Sequence, residues 1–175
     1  MTRRAVFLDR DGVINRVALR DGKPYPPSSV AALEVLPGVA EALGRLKNAG
    51  FMLIVVSNQP DIARGTTKRE VVETIHARLA DTLPIDRFVV CYHDTHDDCD
   101  CRKPRPGMLL ASAKELNIDL AASYMVGDRW RDIEAGKRAG CKTLFIDSGY
   151  AEQLPRDYDF RVASLAEAAA LILEK

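Results

Sequence analysis

Short apolar runs alternate with helical periodicity along the whole chain. Residues 5–8 (Ala-Val-Phe-Leu) are apolar without a break, the pattern of a strand buried on both faces. Similar runs at 51–56, 88–90, 124–126 and 143–146 predict further strands. Between them, Pro37-Gly38 opens a helix that carries Val39, Leu43 and Leu46 at helical spacing and closes at Gly50. Thr66 or Thr67 is placed to cap a second helix running to about Leu83, with Val71, Ile75 and Leu79 on one face. Pro106 starts a third helix through Leu109, Leu110 and Ala113. A fourth spans about 130–139 before Gly140, and residues 164–173 read as a final amphipathic helix. Strands alternating with helices predict an α/β fold, a mainly parallel sheet with helices on both faces. The connections are too short for a separate cap domain, so residues 1–175 are expected to form a single domain.

Composition changes this picture little. The chain has 175 residues, 25 Lys+Arg against 25 Asp+Glu, and a formal net charge of +0. Balanced charge gives no reason to expect a nucleic-acid or membrane partner, so any bound anion must be held by a local site. No apolar run is long enough to span a bilayer. The basic-then-apolar start at Arg3, Arg4 and Ala5–Leu8 is cut short by Asp9, Arg10 and Asp11, unlike a secretory signal. The expectation is a cytoplasmic, monomeric protein.

Strand ends are where ligands bind in such sheets, and reactive residues gather there. Asp9-Arg10-Asp11-Gly12 follows the first strand. One carboxylate can attack phosphorus to form an acyl-phosphate, and a second can move the protons. Ser57-Asn58 follows the second strand, with a hydroxyl suited to a phosphate oxygen. Arg102-Lys103-Pro104 supplies cations for a transferring phosphoryl group. Gly127-Asp128 follows the fourth strand, and Asp132 lies one helical turn on, placed to orient Asp128 or Lys103. Asp9 and Asp128 with a backbone carbonyl suit Mg²⁺, a hard ion that takes oxygen ligands. Each cluster taken singly is a common loop, turn or cap feature; their order is what carries information.

Asp-x-Asp, then Ser, then Lys, then Gly-Asp-x-x-x-Asp, each at a strand end or loop, resembles the haloacid dehalogenase superfamily of phosphatases. The resemblance runs from Val6 to about Asp147. It implies a Rossmann-like domain and a Mg²⁺-dependent phosphomonoester hydrolase. It assigns Asp9 as nucleophile and Asp11 as general acid/base, with Ser57 and Lys103 holding the phosphoryl group. Asp9, the Asp11 carbonyl and Asp128 would hold the magnesium.

A second feature lies at about 91–101, where Cys91, His93, Cys99 and Cys101 crowd into a polar loop. Three thiolates and one imidazole suit tetrahedral, structural Zn²⁺; His96 is a rival ligand to His93. Cys141, alone before an apolar run, reads as packing, and His76, within a predicted helix, as structural. The loop leading into Cys101-Arg102-Lys103-Pro104, together with Asn58-Gln59 and Ile62-Ala63-Arg64-Gly65, is similar to the subgroup acting on heptose bisphosphates and histidinol phosphate. Pro60-Asp61 departs from the Ser-Gly of the heptose enzymes, and the short loop has spacing closer to the histidinol enzymes. The leading expectation is a small phosphorylated metabolite as partner, a sugar bisphosphate, with removal of a heptose 7-phosphate. Asn58, Arg64 and Arg102 are the expected substrate-binding residues. Histidinol phosphate, transfer to an acceptor other than water, and a non-enzymatic zinc-stabilised binding protein are the alternatives. The site is expected to be an open crevice walled by the segment around Tyr25, the loop from Pro60 to Gly65 and the zinc loop.

Overall fold

A computed structural model describes residues 2–175. Six strands form one parallel sheet in the order β5-β4-β1-β6-β7-β8: β1 Ala5–Leu8, β4 Met52–Asn58, β5 Arg87–Cys91, β6 Tyr124–Gly127, β7 Lys142–Ile146 and β8 Phe160–Val162. The two remaining strands, β2 Ala18–Arg20 and β3 Lys23–Tyr25, make a separate antiparallel hairpin. Among the described residues four α-helices lead from one element to the next strand of the sheet, α1 Val39–Asn48, α2 Arg69–Thr82, α3 Gly107–Leu116 and α4 Trp130–Ala139, and a fifth, α5 Leu165–Leu173, follows the last strand.

The continuous apolar runs are explained by cover on both faces. In β1, Val6 and Leu8 point into one core with Leu43 and Leu46 of α1, Ile75 and Leu79 of α2 and Ala169 and Ile172 of α5. Ala5 and Phe7 point the other way, into a core with Met108 and Leu109 of α3 and Ala135 of α4. β4 and β6 alternate in the same sense: Leu53, Val55 and Val126 face the first core, and Ile54, Val56 and Met125 face the second. Period-two side-chain alternation with both faces buried keeps the strand centres apolar, and polar residues such as Ser57 of β4 and Thr143 of β7 sit towards the strand ends.

The expected strands and helices are present to within a few residues. Two details differ. Lys68, not Thr66 or Thr67, precedes α2 as its cap residue; the amides of both threonines donate to the Asp61 carbonyl instead, closing the preceding loop. The hairpin and β8 were not foreseen, because each strand has only three residues and the hairpin strands are largely exposed. Asp21-Gly22, with φ of 51° and 72°, makes the tight hairpin turn.

The strand order reverses at β1, which lies between β4 and β6. At such a switch point the flanking connections leave in opposite directions and open a crevice beyond the strand ends. The residues that follow β1 and β6, and the last residues of β4, therefore converge there.

Candidate active site

Asp9 follows β1 directly, and its amide donates to the Val126 carbonyl at 3.0 Å, fixing the side chain at the mouth of the sheet. Lys103 arrives from the far side of the cysteine loop, fully buried. Its Nζ meets Asp9 Oδ1, Asp132 Oδ1 and the Val56 carbonyl, each at 2.7 Å. Asp132 Oδ2 accepts from the Arg129 amide at 3.1 Å, so both its oxygens are engaged. Of the two partners expected for Asp132, Lys103 is the one it holds.

Asp128 follows β6 and is also buried. Its Oδ2 accepts from the Tyr150 hydroxyl at 2.7 Å, but its Oδ1 is enclosed without a hydrogen-bond partner among the described residues. Carboxylate oxygens of Asp9, Asp128 and Asp132 lie within 4.8 Å of one another. Two of these buried carboxylates hold Lys103, and the third, Asp128, lies beside them without a cation of its own in contact among the described residues. Burial, then Asp132, pushes the Asp9 carboxyl up to about 6, with Lys103 pulling the other way. Burial, then Asp9 and Asp132, raises Asp128 well above the usual carboxylate range. Burial disfavours the Lys103 ammonium, yet Asp132 and Asp9 outweigh it and raise that group. An orphaned buried oxygen and surplus negative charge are what a hard divalent cation relieves, so the donor set fits Mg²⁺. Gly12 makes room for this arrangement. A Cβ there would sit 1.8 Å from Asp128 Oδ2, and its φ of +89° favours glycine.

Asp11 is held by three donors. The Arg10 fork reaches both its oxygens at 2.9–3.0 Å, Asn15 Nδ2 donates at 3.0 Å and Gln59 Nε2 at 2.8 Å. The same Gln59 nitrogen donates to Ser57 Oγ at 2.9 Å, which leaves the serine proton free to donate onward. Asn58 uses both ends of its amide on the Lys103 backbone, at 3.0 Å each. It lines the crevice but is spent on positioning Lys103. Gln59, Arg10, Asn15 and Tyr150 were not foreseen; only the adjacency of Arg10 and Gln59 to the motif residues pointed to them.

The crevice has a volume of about 250 Å³, and Asp9, Asp11, Tyr25, Pro60, Lys103 and Arg129 are among the residues lining it. Two of the three expected walls line it, Lys23–Tyr25 of the hairpin and Pro60, Asp61 and Arg64 of the loop after β4; the zinc loop itself does not, and only Arg102 and Lys103, which follow it, reach the crevice. Arg64 lines it too, but its fork is closed on Asp94 at 2.6 and 2.7 Å, with Asp61 at 3.5 Å. Arg102 contacts only neutral acceptors, the His93 carbonyl at 3.1 Å and Thr95 Oγ1 at 3.3 Å. Glu152 accepts the Arg129 fork, leaving Arg131 a weak approach at 3.9 Å. Lys23 and Arg102 are therefore crevice cations without an ion-pair partner among the described residues, while Arg131 shares Glu152 with Arg129.

The loop after β5 brings Cys91, His93, Cys99 and Cys101 together. Cys91 Sγ lies 2.8 Å from Cys101 Sγ and 3.8 Å from Cys99 Sγ, and His93 Nδ1 lies 3.2 Å from Cys101 Sγ. Ligand bonds of about 2.0–2.3 Å to tetrahedral zinc put donor atoms roughly 3.3–3.8 Å apart; the Cys91–Cys99 pair matches that spacing, the two contacts to Cys101 are tighter, and the donor set has the chemistry for that ion. His93, not His96, supplies the imidazole in this group. Cys141 is buried in the second core, as expected of a packing residue.

A family model described as haloacid dehalogenase-like hydrolase matches residues 26–140. A protein of Pasteurella multocida (strain Pm70) named D-glycero-beta-D-manno-heptose-1,7-bisphosphate 7-phosphatase is 37% identical, covering 97% of each chain. One of the same name from Escherichia coli (strain K12) is 40% identical over 81% of this chain and 78% of its own. The crystal structure of D,D-heptose 1,7-bisphosphate phosphatase from B. bronchiseptica, complexed with magnesium and phosphate, superposes with a TM-score of 0.83 at 31% identity, covering 98% of each chain. Motif order, site geometry and these similarities agree, and the chain belongs to the haloacid dehalogenase-like hydrolase family and is a phosphatase.

Proposed function

We propose that this phosphatase removes the 7-phosphate of D-glycero-D-manno-heptose 1,7-bisphosphate through an aspartyl-phosphate on Asp9. The observation that carries the chemistry is the buried cluster of Asp9, Asp128, Asp132 and Lys103 at the switch point of the sheet. A carboxylate oxygen of Asp9 attacks phosphorus, and the bond to the sugar oxygen breaks. Asp11 gives its proton to that leaving oxygen, then takes one from the water that attacks the aspartyl-phosphate, releasing phosphate and restoring Asp9. Lys103 and the Ser57 hydroxyl hold the phosphoryl oxygens, and Asn58 fixes the Lys103 backbone. Mg²⁺, held by Asp9, Asp128 and the Asp11 carbonyl, would neutralise charge on the transferring group. Zn²⁺ on Cys91, His93, Cys99 and Cys101 would order the loop that delivers Arg102 and Lys103. We take residues 1–175 to act as one domain, with this zinc loop at about 91–101.

Two observations support the substrate. The relatives that carry this name match along most of the chain at 37–40% identity. The crevice cations Lys23 and Arg102 favour a substrate with a second anionic end and disfavour the cationic amine of histidinol phosphate. Phosphate release should be measured with Mg²⁺ over both heptose 1,7-bisphosphate anomers, histidinol phosphate and simple sugar monophosphates. A heptose bisphosphate is expected to give the highest kcat/KM. Preference for histidinol phosphate over both anomers would refute the assignment.

A further inference from the structure

Behind Asp11 lies a chain of buried polar contacts that the chemistry above does not use. Arg10 is fully buried. Two faces of its guanidinium are engaged: Nε and Nη2 grip Asp11, and Nη1 lies 2.9 Å from His76 Nε2. His76 comes from α2 and is itself buried, its ring stacked on Phe88 of β5 at 4.6 Å between centroids and 20° between planes. An arginine has no acceptor, so its N–H must donate to His76 Nε2. The imidazole is then neutral, with its proton on Nδ1. Burial, followed by the Arg10 charge, pushes the His76 imidazole down to about 4, in keeping with that tautomer.

We propose that His76 is a positioning residue for the acid/base step: as a neutral acceptor it fixes Arg10, and Arg10 in turn aims the Asp11 carboxyl at the crevice. The inference rests on Asp11 acting as general acid/base. The geometry gives the reason for the arrangement. Arg10 and Asp11 are adjacent in sequence, and a guanidinium on a long, flexible stem could grip its neighbour in several orientations. A third contact from a different element selects one of them. The stacked Phe88 ring, in turn, leaves His76 little freedom to turn away. The chain of contacts runs on from Asp11 through Gln59 to Ser57, so the acid/base group and the phosphate-holding hydroxyl share one support.

The test uses leaving-group dependence. A sugar or alkyl phosphate needs its leaving oxygen protonated, whereas a nitrophenyl phosphate expels a stable phenolate unaided. The measured quantity is the rate of the first phosphoryl transfer in a single turnover with saturating Mg²⁺, on an alkyl phosphate and on p-nitrophenyl phosphate. Asp11→Asn calibrates the assay and should lower the alkyl rate far more than the aryl rate. His76→Leu removes the acceptor and strands a buried N–H. The ratio of alkyl to aryl rate should then fall by about tenfold or more, with KM little changed. His76→Gln, whose Oε1 reaches the place of Nε2, should restore the ratio. His76→Asn, one bond shorter, should not, and this polar pair decides the matter if the leucine variant does not fold. An equal loss on both substrates in the His76 variants, or an Asn variant as good as Gln, would overturn the proposal while leaving Asp11 in its role. If Asp11→Asn itself shows no leaving-group dependence, the acid/base reading falls and the inference with it.

Discussion

Replacing Asp9 by Asn should stabilise the metal-free protein while abolishing its activity. Asp9 is buried beside Asp132 and Asp128, and its carboxyl is pushed up to about 6 from 3.8. A carboxyl raised in the folded state binds its proton more tightly there than in the unfolded chain. Its stabilising effect is therefore complete at low pH and is lost as pH rises from about 4 through about 6. At 1.36 kcal/mol per pKa unit, ionising Asp9 costs the folded state about 3 kcal/mol at pH 7. An amide keeps the shape and an oxygen for Lys103 Nζ but removes the charge. Lys103 loses one carboxylate partner and retains Asp132 at 2.7 Å, so the net gain should be on the order of 1–3 kcal/mol. At roughly 2–4 °C per kcal/mol for a domain of this size, the Tm should rise by about 2–12 °C. Thermal unfolding in chelator at pH 7 measures it, and the difference should shrink towards pH 4, where Asp9 is protonated in wild type. Saturating Mg²⁺ should raise the wild-type Tm more than that of Asp9→Asn and so narrow the gap. An Asn variant less stable than wild type in chelator at pH 7 would refute the account of a negatively overloaded site.

Lys103→Met should do the opposite, leaving Asp9 and Asp132 without their counter-ion; a loss of about 3–5 kcal/mol is expected by urea unfolding, with no detectable turnover. Asn58→Ala cuts both amide contacts to the Lys103 backbone and should lower kcat by about tenfold with little change in KM; steady-state kinetics distinguishes this from a role in binding substrate. Purified protein made with ample zinc should carry about one zinc per chain by elemental analysis, and Cys101→Ser should lose it together with thermal stability. A wild-type preparation free of zinc would remove the structural-metal reading.

What could be read in the sequence follows from how local each feature is. Residues 5–8, 52–56, 124–126 and 144–146, the centres of β1, β4, β6 and β7, are unbroken apolar runs because both faces are covered, and that signal needs no tertiary knowledge. Gly140, at φ 88°, ends α4 where a left-handed residue is needed, and was equally visible. The hairpin at 18–25 and β8 were not, since exposed strands of three residues leave little pattern. In the site, residues fixed to strand ends, such as Asp9 and Asp128, were legible because the fold class dictates where such ends converge. Pairings across the fold were not: Arg64 looked free to bind a phosphate, but Asp94, thirty residues on, closes its fork. The His76–Arg10 contact joins positions 66 apart and has no sequence signature. Asn58 was assigned to substrate, whereas its neighbour across the crevice, the Lys103 backbone, occupies its amide.

The central claim is that Asp9 accepts the phosphoryl group. Beryllium trifluoride with Mg²⁺ mimics a phosphoryl group bound to a carboxylate, so the structure of that complex tests it most directly. The account predicts a beryllium–oxygen bond to Asp9, with the fluorines facing Lys103 Nζ and Ser57 Oγ and the Mg²⁺ against Asp128. An adduct on another side chain, or no adduct alongside wild-type turnover in Asp9→Asn, would contradict it.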